Sequence, residues 1–74
     1  MMIHTYFQIE RKHIVAVQFI IEGYEGMATV STMDAQKAIL RISIMPDFLP
    51  AMNGLIDELQ RQYGLKEISD DRET

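Results

Sequence analysis

Three features of this 74-residue sequence predict an α+β fold. Alternation of apolar and polar side chains marks strands, three- and four-residue periodicity marks helices, and the segments run strand, helix, strand, strand, helix, strand. That order, with a hairpin in the middle and each helix linking strands of one sheet, describes a minimal ferredoxin-like βαββαβ sandwich, an antiparallel sheet with two helices on one face. Both crossovers are expected to be right-handed, which sends the two helices to the same side.

The first strand is read over Ile3 to Glu10, where Ile3, Thr5, Phe7 and Ile9 share one parity and His4, Tyr6, Gln8 and Glu10 the other. Arg11 to Glu22 sets propensity against pattern. Its β-branched Ile14, Val15, Val17, Ile20 and Ile21 suit a strand, but alternation fails at Ile14-Val15 and again at Phe19-Ile20-Ile21. With Ile14, Val17 and Ile21 on one side, Gln18 and Glu22 opposite and Gly23 as a stop, the segment reads as a helix. Met27 to Met33 and Ala38 to Met45 alternate again, and Asp34-Ala35-Gln36-Lys37 between them has hairpin length, with Asp34 suited to open the turn.

The second helix is read over Asp47 to Gly64, with Asp47 as N-cap, Pro50 in the first turn and Gly64 at the C-terminal stop. Phe48, Met52, Leu55, Ile56, Leu59 and Tyr63 form its apolar stripe. Gly54 interrupts it at a cost of about 1 kcal/mol relative to alanine, which points to close approach of another element or to a ligand. Leu65 to Ile68 suffices for one edge strand. Residues 1–68 are expected to form one domain and residues 69–74, SDDRET, a polar acidic tail. One sheet face is left uncovered, carrying His4, Tyr6, Gln8, Thr29, Ser31, Ile39, Arg41, Ser43 and Met45.

Composition narrows the function classes. A chain of this length buries about three-fifths of its unfolded surface, and no cysteine is present to staple so small a core or cage a metal. Packing between copies is one way to supplement it. A net charge of -4 repels phosphate backbones and anionic headgroups, so nucleic acid and membrane surfaces are unfavourable partners. The longest near-apolar stretch, Ile14 to Ile21, falls far short of the roughly twenty residues of a spanning helix; a cytoplasmic protein without a signal peptide is expected.

The stretch Ile20-Ile21-Glu22-Gly23-Tyr24-Glu25-Gly26-Met27-Ala28-Thr29-Val30-Ser31-Thr32-Met33-Asp34 resembles a small bacterial family, domain of unknown function 4911, over about Tyr6 to Ile68. In that family a helix ends in a Glu-x-Tyr-x-Gly phrase, here Glu22, Tyr24 and Gly26, followed by a strand, a turn opening with Asp and a second strand. The resemblance implies the helix over Arg11 to Glu22 and implies no activity.

Glu22, Tyr24, Glu25 and Gly26 form the one segment with the polar density and glycines of a binding loop. Either the glutamates hold a cation or amine beside Tyr24, or a glycine turns the chain from helix to strand while both glutamates stay solvated. His4 and His13 lack metal-ligand spacing, and no metal or cofactor is expected. Arg11-Lys12-His13 opposes the dipole of the helix it opens, either meeting an anion or staying solvated. Met27, Met33, Met45 and Met52 either fill the core or build an adaptable apolar surface.

Activities known on this fold are disfavoured by what they lack. RNA-binding sheets need several exposed aromatics, and only Tyr6 lies on the open face. Copper chaperones need C-x-x-C, and acyl-phosphate hydrolysis needs a glycine-bearing loop where Glu10-Arg11-Lys12-His13 stands. A Ser-His-Asp set drawn from Ser31 or Ser43 with His4 and Asp34 lacks a nucleophile elbow. The expected function is therefore a non-enzymatic interaction or ligand-sensing module that self-associates through its sheet at Tyr6, Ile39, Arg41 and Met45. The alternative is a metal-dependent or enzymatic protein using Glu22 and Glu25 with His4 or His13 at an edge pocket.

Overall fold

Alternate Leu40, Ile42 and Ile44 side chains give the segment Ile39–Ile44 one strongly apolar face, and the fold is arranged around it. The computed structural model describes residues 1–69 and contains β1 (Ile3–Gln8), α1 (Ile14–Glu22), β2 (Ala28–Asp34), β3 (Ile39–Ile44), α2 (Leu49–Tyr63) and β4 (Lys66–Ile68). A 3-10 turn leads into each helix, Arg11–His13 before α1 and Pro46–Phe48 before α2. The strands form one antiparallel sheet in the order β2-β3-β1-β4. Each helix thus joins strands separated by one other, which is the expected ferredoxin-like α+β arrangement. Of the tail expected over residues 69–74, only Ser69 is among the described residues.

Cross-strand rows show how the two faces differ. Ala28, Ile44 and Ile3 form one row, Val30, Ile42 and Thr5 the next, and Thr32, Leu40 and Phe7 the third. This face is buried under Val17 and Ile21 of α1 and Met52, Ile56 and Leu59 of α2, so both helices cover the same side. The Cα extents are 31 × 30 × 18 Å, and the short one accommodates one helix layer on one sheet.

Several element ends differ from the sequence reading, each for a local reason. β1 and β3 are shorter than the alternating runs. Ile9, beyond β1, stays buried and donates its N–H to the Ala38 carbonyl at 3.1 Å. Ala38 belongs to the hairpin turn, not to β3: its φ is +56°, yet its methyl is buried, which accounts for alanine where glycine would be the easier residue. Asp34 opens that turn as expected, accepting the Lys37 N–H at 3.0 Å. A register shift between Thr32 and Asp34 takes up Met33 as a bulge.

Asp47 is not a helix cap. Pro46 starts a 3-10 turn from the extended Met45, so Asp47 lies inside that turn, where its charge favours the helix dipole, and no side chain caps α2. Phe48 is correspondingly pushed outward and Leu49 packs on the core in its place. Gln18 does not face away from the body; its Nε2 donates to Thr32 Oγ1 at 2.8 Å, while Val15 and Phe19 point to solvent, 75% and 78% exposed. The methionines do not form one surface: Met52 is wholly buried, Met27 packs against the core and Met45 is exposed.

Gly54 also departs from expectation. A methyl group placed there would meet nothing within 4 Å, so no element among the described residues approaches it. Gly54→Ala should therefore stabilise the fold by about 1 kcal/mol, raising Tm by roughly 4–8 °C for a domain of this size. Gly64→Ala should lower Tm comparably, because Gly64 ends α2 at φ +70° with its N–H on the Gln60 carbonyl. Thermal unfolding of both variants checks the pair, and destabilisation by Gly54→Ala would contradict the open space seen there.

Candidate functional site

The loop after α1 is built by short-range backbone bonds. Gly23 and Tyr24 donate to the Ile20 and Ile21 carbonyls, and Met27 donates to the Tyr24 carbonyl at 2.9 Å. Gly26, at φ +89°, occupies the turn position that requires positive φ, so the chain reverses from α1 into β2 there. The result is an open cleft of about 370 Å³ beside the edge strand β2, lined by Glu22, Glu25, Gly26, Ala28, Thr29 and Val30. Three of the four expected ligand-binding residues line it. Tyr24 does not, and its carbonyl serves the turn.

Neither histidine lines that cleft. His13 is half-buried, its ring edge-on to Tyr63 with centroids 5.2 Å apart, tying the start of α1 to the end of α2. His4 Nδ1 and Ser43 Oγ are joined by a hydrogen bond of 2.7 Å on the other sheet face. Among the described residues no group of three His, Cys, Asp or Glu side chains is placed to hold a metal ion. The basic segment before α1 meets an acid, Lys12 Nζ lying 4.0 Å from Glu10 Oε2 with both side chains exposed.

The sheet face turned away from the helices has three cross-strand rows of its own. They are Thr29, Ser43 and His4; Ser31, Arg41, Tyr6 and Ile68; and Asp34, Ile39, Gln8 and Lys66. Strand parity placed His4, Tyr6, Gln8, Thr29, Ser31, Ile39, Arg41 and Ser43 on this face correctly, whereas Asp34 reaches it only through the Met33 bulge, and parity did not show how closely they pack. Ser43, expected in the open, is 3% exposed, closed in beneath its hydrogen bond to His4. Ile39, Arg41 and Tyr6 are half-buried, so three of the four expected interface residues are contiguous across β3 and β1. Met45 lies beyond the end of β3, its N–H bonded to the Met27 carbonyl.

Arg41 sits in the middle row of this face, on a central strand. Its Nε is buried with no hydrogen-bond partner among the described residues. A buried unpaired donor costs on the order of 1–3 kcal/mol, which is a local cost carried by this strand. The serine-histidine pair has a different character. Of the Ser-His-Asp set considered from sequence, Ser43 and His4 do meet, but Asp34 is two rows away and occupied with the Lys37 amide. A buried hydroxyl without an orienting carboxylate is a structural pair, not an activated nucleophile.

The architecture is thus an α+β sandwich with one sheet face left uncovered by the described residues and an open cleft bordered by Glu22 and Glu25 at its edge. The sequence pattern of a family described as a domain of unknown function, DUF4911, matches residues 7–62, and the chain belongs to that family. The match runs from β1 to the last turn of α2 and stops before β4. No curated protein and no solved structure matches the chain.

Sequence reasoning missed the outward pair Val15 and Phe19. Its signal was available: α1 carries apolar residues on nearly every side, more than one buried face can use. It also missed the His4–Ser43 bond, for which no sequence signal exists because the partners are 39 residues apart.

If the His4–Ser43 bond is structural, Ser43→Ala should cost about 1 kcal/mol of stability, and urea unfolding with an unchanged m-value is the measurement. A neutral effect would show that the bond contributes nothing net.

Proposed function

We propose that this protein is a non-catalytic binding module that acts as a self-associating unit, its copies packing through the open sheet face. The observation that carries the reading is the apolar content of that face. Tyr6 and Ile68 are paired across β1 and β4 and Ile39 lies one row away on β3, all half-buried, with no helix or loop of the described residues laid over them. Sheet faces of antiparallel folds tolerate water on one side when they alternate to polar residues, but large apolar side chains on an uncovered face favour a partner. A chain of this size also has little core of its own, and a second copy stabilises it by mass action. A two-fold pairing would bring the same patch from each copy together.

The cleft with Glu22 and Glu25 supports the ligand-sensing side of the same reading, an amine or cation being the matching chemistry at the rim of the sheet. The compartment proposed with it is the cytoplasm, with which the absence of a membrane-crossing helix among the described residues is consistent.

Sedimentation equilibrium at micromolar concentration should find a dimer or larger species. Ile39→Glu should weaken association by at least about tenfold, the equivalent of about 1.4 kcal/mol, while Phe19→Glu on the far side of α1 should leave it unchanged. A stable, strictly monomeric chain, or an effect of Phe19→Glu alone, would refute association through the sheet.

A further inference from the structure

The outward side of α1 carries a pattern that the core does not use. From Lys12, in the 3-10 turn that opens the helix, to Glu22 at its end, the exposed residues are Lys12, Val15, Phe19 and Glu22. Their spacing of three, four and three residues sets all four side chains in one row along the helix. Val15 and Phe19, 75% and 78% exposed, form the apolar middle of the row. Arg11 and Lys12 make one end basic, and Glu22 and Glu25 make the other acidic, all four exposed. Glu10, whose Oε2 lies 4.0 Å from Lys12 Nζ, offsets only one of the two cations.

This row matches itself when turned end for end. Val15 and Phe19 lie two residues either side of Val17, and Lys12 and Glu22 lie five residues either side of it. A two-fold axis level with Val17 therefore sets Val15 against Phe19 and Lys12 against Glu22. Within one chain the charges gain nothing from their positions, since a cation at the start of a helix and an anion at its end both oppose the dipole. Beside an antiparallel helix each of them meets an opposite charge and the favourable end of the neighbouring dipole.

We propose that α1 is a second, weaker docking surface for another copy of this chain, which lays its own α1 antiparallel on it, Val15 packing on Phe19 and Lys12 pairing with Glu22, each contact made twice across the axis. Alternating steps of three and four are the seam spacing of helices packed side by side. One helix row covers far less than the roughly 800 Å² per partner of a standard interface, so the pairing forms only above the micromolar range. Glu22 also borders the cleft beside β2, so the pairing brings an amine to its rim. The surface goes beyond association through the sheet and does not require it; where both operate, α1 joins sheet-paired copies into larger species.

Sedimentation equilibrium of the full chain from about 10 μM to about 1 mM is the test. The average mass should rise over the upper part of that range, and Phe19→Glu should remove the rise while leaving the micromolar species as it was. Lys12→Glu and Glu22→Lys each set like charges together at both ends of the pair and should each weaken it about fivefold or more at low salt. Both substitutions suit the dipole of α1, so Tm should hold or rise, which separates lost pairing from lost folding. Mixing the two single variants should restore association, because each then meets the charge opposite to its own, and so should the double variant. Three results would overturn the proposal: a mass that stays constant up to about 1 mM, a rise that Phe19→Glu leaves intact, or single reversals that mixing does not rescue. A rise removed by Phe19→Glu with no micromolar dimer leaves the α1 contact standing and refutes sheet pairing. A micromolar dimer weakened by Ile39→Glu with no further rise overturns the α1 contact alone, so the two readings fail separately.

Discussion

β3 is hydrogen-bonded along both edges, to β1 and to β2, and its two-residue alternation assigns every side chain of the sheet to one side or the other. Leu40, Ile42 and Ile44 go under the helices, and Ile39, Arg41 and Ser43 go to the bare face. A slip of one residue would put a guanidinium under α1 and α2 and expose the core leucine and isoleucines, a change of many kcal/mol that neither neighbour could follow. The register is held at one end by the Asp34 turn. Its cost is absorbed by the Met33 bulge and by Ala38 in a left-handed conformation. Core and candidate site are therefore two consequences of one pairing.

The bare face follows from topology. Two crossovers on the same side of a four-stranded sheet leave the other side to water or to a partner. What distinguishes this sheet is that its bare side is neither evenly polar nor evenly apolar. Tyr6 and Ile68 share a row with Arg41 and Ile39 lies in the next, the Arg41 Nε has no acceptor among the described residues, and Ser43 and His4 bond to each other and close the neighbouring row. Two carboxylates, Glu22 and Glu25, border the cleft beside β2 at the rim of the sheet.

The second apolar feature, Val15 and Phe19 on α1, has another origin. β-branched and aromatic residues at nearly every position make that helix apolar around its whole circumference, while only Val17 and Ile21 are fully buried. α2 is the opposite case, with a clear stripe at Met52, Ile56 and Leu59 and polar residues elsewhere. The difference explains why the sequence read α2 more securely than α1.

Local chemistry alone determined a good deal. Alternation identified β1, β2 and β3, periodicity and Gly64 identified α2, Asp34 marked the hairpin, and element order led to the βαββαβ arrangement, because each of these signals acts within a few residues. Parity also named the bare face correctly. Tertiary structure decided what depends on partners distant in sequence. It buried Ser43 against His4, withdrew Arg41 Nε from water, parked His13 on Tyr63 and left Gly54 with open space. Those outcomes depend on which side chains stand opposite one another across the sheet, between the helices or at a helix surface, and cross-chain distances of that kind have no signature in local sequence pattern.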